Sequence, residues 1–130
     1  MAYASSSLAL AALELFVNLT TDEFPADLVA VELLIPDDIT MDAVSADELP
    51  TNWRDYPAPL ALQELGTEWL RSARSLLLVV PSVLVPREMN LLINPGHPEF
   101  ERCTVGTVDP FEYDFRMWKA ARPSQASQGI

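Results

Sequence analysis

The chain has 130 residues, 49% hydrophobic and 21% charged, a composition that folds as one domain of ordinary size and is not that of a disordered chain. Eight Lys and Arg stand against nineteen Asp and Glu, and the net charge of -11 disfavours direct contact with nucleic acid or anionic membrane. A single cysteine, Cys103, and a single histidine, His97, exclude an internal disulfide, a cysteine-cluster zinc site and the usual two-histidine metal sites.

Residues 1–17 are apolar enough to imitate a signal peptide, but they lack a basic start and carry Glu14 inside the apolar run. No stretch reaches the roughly 20 apolar residues of a membrane span. The expectation is a cytoplasmic protein whose Asn18-Leu19-Thr20 sequon never meets a glycosylating compartment. Ser5, Ser6 and Ser7 offer N-cap hydroxyls to a helix running to about Asn18. At about 100° per residue, Ser7, Ala11, Glu14 and Asn18 share one seam, and the apolar remainder covers an arc wide enough for a helix wedged between other elements.

Residues 22–27 read as a turn-rich connection, and 28–35 as a strand stopped by Pro36. Residues 37–52 are acidic and irregular, and the two prolines of 53–59 exclude regular helix there. Leu62, Leu65, Gly66 and Trp69 have the spacing of an amphipathic helix in which Gly66 admits a close neighbour. Residues 76–80 form a buried strand ended by Pro81, and 91–93 a shorter one closed by Asn94-Pro95-Gly96. Late strands are expected at 104–108 and 111–117, before a polar tail. The pattern predicts an α+β domain over 1–122 with a mostly antiparallel sheet, followed by a frayed tail at 123–130.

No Gly-rich phosphate loop and no GxSxG element is present. Taken singly, the polar residues have plain structural readings. Glu14 reads as the solvent face of a helix, Tyr3 as a buried aromatic, Ser82 after Pro81 as a turn cap, and His97 as a loop histidine. Trp53, Trp69 and Trp118 read as core anchors, Asn90 and Asn94 as residues that tie a turn to its backbone, and Cys103 as a small apolar side chain.

A longer ordered pattern changes that weighting. Tyr3 precedes Glu14 by eleven residues across the Ala- and Leu-rich helix. Then follow Pro50-x-x-Trp53-Arg54-x-Tyr56-Pro57-x-Pro59 and Gln63-x-Leu65-Gly66-x-x-Trp69-Leu70-x-Ser72. Val80-Pro81-Ser82, Val85-Pro86-x-Glu88-x-Asn90 and Asn94-Pro95-x-His97-Pro98-x-Phe100 complete the series. In this order and spacing the chain resembles the RES-domain family, the toxin half of RES–Xre toxin–antitoxin modules, from Tyr3 to about Arg116.

The resemblance implies an ADP-ribosyltransferase-like fold and an enzyme that consumes NAD as substrate. It would break the nicotinamide–ribose bond with water or phosphate, need no metal, and be silenced by a cognate Xre-like antitoxin that carries the DNA contacts. By position Glu14 and Ser82 would be the catalytic glutamate and serine, and Tyr3, Glu14 and Ser82 the substrate-binding set. The family's arginine-bearing segment precedes this tyrosine, whereas Met1 stands two residues before Tyr3. The expectation is therefore an N-terminally short RES domain with an unpaired sheet edge that favours association. The alternative reading is a catalytically inactive remnant that serves as an antitoxin-binding protein.

Overall fold

A computed structural model describes residues 1–19 and 25–117. Trp118, the Thr20 of the sequon and the expected tail at 123–130 lie outside the described residues. The elements are β1 (Ala2–Ser5), α1 (Leu8–Phe16), β2 (Val29–Leu34), β3 (Met41–Ala43), α2 (Leu60–Ser72), β4 (Leu77–Pro81), β5 (Met89–Ile93) and β6 (Thr104–Pro110). Short 3-10 turns occur at Ala46–Glu48, Pro98–Arg102 and Phe115–Met117. The fold is α+β. Among the described residues no helix is long and apolar enough to cross a membrane.

A four-stranded sheet has the order β1-β5-β4-β3, antiparallel except for the parallel β3–β4 pair, and β2 and β6 form a separate antiparallel ribbon. Register divides the larger sheet into two faces, because successive side chains in a strand point opposite ways. Ala2, Ala4, Leu91, Ile93 and Leu77 belong to a core cluster with Ile39 and Leu76, against which Leu33, Ile35 and Phe100 pack. Tyr3 pairs with Leu92 and Ser5 with Asn90, so these four residues occupy the opposite face.

β3 lies in the acidic stretch expected to be irregular. Three residues of strand are too few for an alternation to register in sequence, and side chains hold them instead. Asp42 Oδ2 accepts from Ser75 Oγ at 2.7 Å and from Arg74 Nε at 3.1 Å, while Trp69 Nε1 donates to Ser75 Oγ at 2.8 Å. That chain ties the buried indole of α2 to the sheet. Next to it, Glu99 Oε1 accepts from the amide and hydroxyl of Thr40, and Leu76 N donates to Thr40 Oγ1 at 3.0 Å. Gly66 admits the methyl of Met1, which would stand 3.8 Å from an added Cβ.

Two expectations are corrected. Residues 111–117 form no strand: β6 runs through Pro110, one last ladder bond runs from Phe111 N to Leu28 O at 3.0 Å, and the aromatics then stack. Phe111 and Tyr113 pack edge to face at 5.0 Å, Tyr113 lies 5.8 Å from the Phe16 ring, and its hydroxyl donates to the carbonyl of Ala12. Burial raises the Tyr113 pKa above the usual phenol value. The second correction concerns α1, which stops at Phe16 and buries only Leu10; Leu8, Leu13 and Leu15 remain exposed. One side meets the sheet and the 111–117 segment covers only part of another, so much of its apolar surface stays exposed.

Leu76 is fully buried in the core cluster, so Leu76→Ala should cost about 2–5 kcal/mol in urea unfolding, through lost transfer energy and the cavity left behind. The carboxylates that fasten β3 make stability acid-sensitive. The Ser75 hydroxyl and then the Arg74 guanidinium hold Asp42 below the ordinary carboxylate range, and the Thr40 hydroxyl and amide do the same for Glu99. Folded pKa values below the unfolded ones stabilise the protein above the unfolded values, near pH ~4. This contribution disappears as pH falls through the folded values. Urea midpoints should therefore fall between about pH 5 and pH 3, and fall less steeply in an Asp42→Asn, Glu99→Gln double variant.

Candidate active site

The site begins with a turn. Ser82 directly follows β4, and the loop to β5 is organised around its hydroxyl: Ser82 Oγ accepts from Leu84 N and Val85 N, both at 3.1 Å. Ser82 N donates to Glu88 O at 2.9 Å, and Glu88 N to Val85 O at 2.8 Å. Pro81 ends the strand and the serine closes the turn, as the local sequence predicts.

The one proton of that hydroxyl goes to α1. Ser82 Oγ donates to Glu14 Oε1 at 2.7 Å, and Asn90 Nδ2 donates to the same oxygen at 2.9 Å. Ser5 Oγ in turn donates to Asn90 Oδ1 at 2.6 Å, across the β1–β5 register pair. The helix presents Glu14 correctly because Ser7 caps it, accepting from Leu10 N at 3.1 Å, and Asn18 Nδ2 donates to the Glu14 carbonyl at 2.9 Å. The seam Ser7, Glu14 and Asn18 read from the periodicity thus carries the first turn, the carboxylate and the helix end.

Glu14 and Ser82, 68 residues apart, are therefore in direct contact. Their hydrogen bonding differs. Ser82 is 0% exposed, and its hydroxyl spends its one proton on Glu14 and both lone pairs on backbone amides. In this geometry it orients the carboxylate. Glu14 is half-buried, with Oε1 doubly occupied and Oε2 without a hydrogen bond or ion pair among the described residues. Oε2 is thus the atom of this cluster left open to a further donor. Tyr3, expected to be buried, is 74% exposed on the face of the sheet that carries Ser5, two residues along β1.

Asn90 was expected to tie a turn to its backbone. Asn94 does that, accepting from Gly96 N at 3.0 Å and donating to the Leu70 carbonyl, but Asn90 bridges Ser5 and Glu14. The signal for it was alternation, since Leu91 and Ile93 face the core and place Asn90 on the other side. His97 does have the expected loop role: its Nδ1 accepts from Glu99 N at the start of a 3-10 turn. Among the described residues no group of three or more His, Cys, Asp or Glu is placed to hold a metal. Two shallow surface concavities, about 500 Å³ along α2 and about 350 Å³ between α1 and residues 111–117, do not take in Glu14.

The RES domain family model matches residues 1–116. The chain belongs to the RES domain family. It is 41% identical over 121 residues to a Prs ADP-ribosylating toxin of Sphingobium sp. (strain YBL2), covering 92% of this chain and 75% of that relative. It is also 41% identical over 113 residues to a Toxin Res of Yersinia enterocolitica, covering 87% and 73%. A Toxin Res of Photorhabdus laumondii is 34% identical over 122 residues, covering 92% of this chain and 77% of that relative.

Removing a clamp residue should be distinguishable from removing charge. Asn90→Ala strips Glu14 of a donor and leaves Ser5 without its acceptor, costing about 1–3 kcal/mol in urea unfolding. Glu14→Gln keeps an oxygen that accepts both bonds and should stay within about 1 kcal/mol of wild type.

Proposed function

We propose that this chain is the toxin of a toxin–antitoxin pair, an ADP-ribosyltransferase-like enzyme that degrades NAD in the cytoplasm and is neutralised by an Xre-like antitoxin. The single observation that carries the reading is Glu14, clamped through Oε1 by Ser82 and Asn90, with Oε2 unpartnered among the described residues. The toxin names of relatives that align over most of this chain support it.

In the reaction, the bond between the ribose C1′ and the nicotinamide nitrogen breaks, and its electron pair leaves with nicotinamide, which becomes neutral. Positive charge develops on the ribose carbon and ring oxygen. A carboxylate held by two neutral donors, with no cation against it among the described residues, stabilises that charge where it forms. An oxygen of water or phosphate then bonds to C1′; water loses its proton to solvent. Ser82 and Asn90 act through Glu14 as positioning residues, and exposed Tyr3 supplies a stacking surface for the leaving base.

A second reading, transfer of ADP-ribose to a protein, is favoured by the relative described as a Prs ADP-ribosylating toxin. The test is nicotinamide release from NAD by purified protein, with and without phosphate, alongside transfer of labelled ADP-ribose to added protein. The expected result is release that Glu14→Gln reduces by about 10²–10³-fold, as when a transition-state stabiliser is lost. No release and no transfer under any condition would leave the inactive, antitoxin-binding remnant as the reading to keep.

A further inference from the structure

A dinucleotide brings two phosphate charges to a protein of net charge -11, so its affinity requires a cation placed in advance. Most cations among the described residues are committed elsewhere. Arg74 pairs with Asp42, Arg102 with Asp38 and Glu99, and Arg116 with Asp114. Arg71 stands on the exposed side of α2, along the shallow groove that excludes Glu14. Arg54 and Arg87 are left.

Arg54 is the one fixed to the site. Its Nε donates to the carbonyl of Val83 at 3.0 Å, and Val83 directly follows the Ser82 that holds Glu14. Its backbone is set by consecutive turns, Trp53 N donating to Pro50 O and Asp55 N to Asn52 O, both at 3.0 Å. No acid pairs with it among the described residues, its neighbour Asp55 included, and both Nη groups remain free to donate. Arg87, by contrast, has no side-chain hydrogen bond or ion pair to fix it among the described residues.

We infer that Arg54 is a phosphate-binding residue for the dinucleotide, with Nε fastened to the Ser82 turn and the two Nη groups donating to pyrophosphate oxygens. The inference rests on the NAD reading above and extends it to the residue that holds the substrate's charged middle. One guanidinium then couples the two ends of the site: the turn that sets Glu14 and the phosphates that set the ribose against it. Such a residue contributes to binding in the ground state and the transition state alike, so it governs KM more than kcat.

The test uses the full chain with NAD, with ADP-ribose, which keeps the pyrophosphate, and with nicotinamide riboside, which has no phosphate. Arg54→Gln should raise KM for NAD and weaken ADP-ribose binding by about 10- to 100-fold, the scale of charged hydrogen bonds. It should leave kcat within about threefold and nicotinamide riboside affinity unchanged. Arg54→Lys, which keeps the charge and loses the fork, should show a smaller loss, and Arg71→Gln none. Equal weakening of all three ligands, or a fall in kcat with KM unchanged, would overturn the inference by showing that Arg54 only braces the turn. Wild-type turnover that Arg54→Gln matches would overturn it while sparing the NAD reading. A wild-type protein that neither binds ADP-ribose nor releases nicotinamide would overturn both.

Discussion

One carboxylate oxygen organises this molecule. Glu14 Oε1 receives a hydroxyl from the start of the β4–β5 turn and an amide from the start of β5, so a single atom joins α1 to both sides of a hairpin. Each donor is fixed independently. Ser82 is held by backbone amides of its own turn, and Asn90 by its place in β5 and by Ser5 of β1. Because none of the three groups can turn without breaking a second bond, the position of Oε2 follows from the fold. An enzyme that must set a charge within a fraction of an ångström of its reacting centre needs such over-determination.

The larger sheet makes this possible by separating its two faces. One face is committed to the core through Ala2, Ala4, Leu91, Ile93 and Leu77. The same strands carry Tyr3, Ser5 and Asn90 on the other face. Stability and chemistry are thus assigned to alternating positions of the same four-residue and five-residue strands, and a one-residue slip in register would exchange them. The side-chain network around Asp42, Thr40 and Glu99 lies at the opposite edge of the sheet, where it fastens the short parallel strand β3.

How much of this was legible in the sequence depends on the range of the interaction that fixes each element. The seam of α1, the amphipathic spacing of α2 and the apolar run of β4 are local patterns, and they read correctly. β1 and β3 are too short to show an alternation, and they become strands only because β5 and β4 stand beside them. Residues 111–117 have strand-like aromatics, but Tyr113 finds Phe16 and the Ala12 carbonyl about a hundred residues away. The site divides in the same way. Glu14 and Ser82 stood out through the ordered series of motifs. The exchange of partners that makes Ser82 a brace and Asn90 a clamp is a matter of three-dimensional contact, which residue identity alone does not reveal.

The character of the donors carries the chemical argument further than their number. An arginine or lysine at Oε1 would fix Glu14 as firmly, but it would also neutralise the carboxylate before any substrate arrived. Serine and asparagine hold the geometry and leave the charge uncompensated among the described residues. On the proposed reading, positive charge passes from the nicotinamide ring to the ribose as the glycosidic bond breaks, and a carboxylate preorganised by neutral dipoles against the ribose favours that shift. Arg54, the phosphate-binding residue inferred above, bonds the Val83 carbonyl next to the Ser82 turn and makes no ion pair with Glu14. On the same reading the overall acidity of the chain, which opposes an anionic substrate, favours the centre that becomes cationic as the bond breaks.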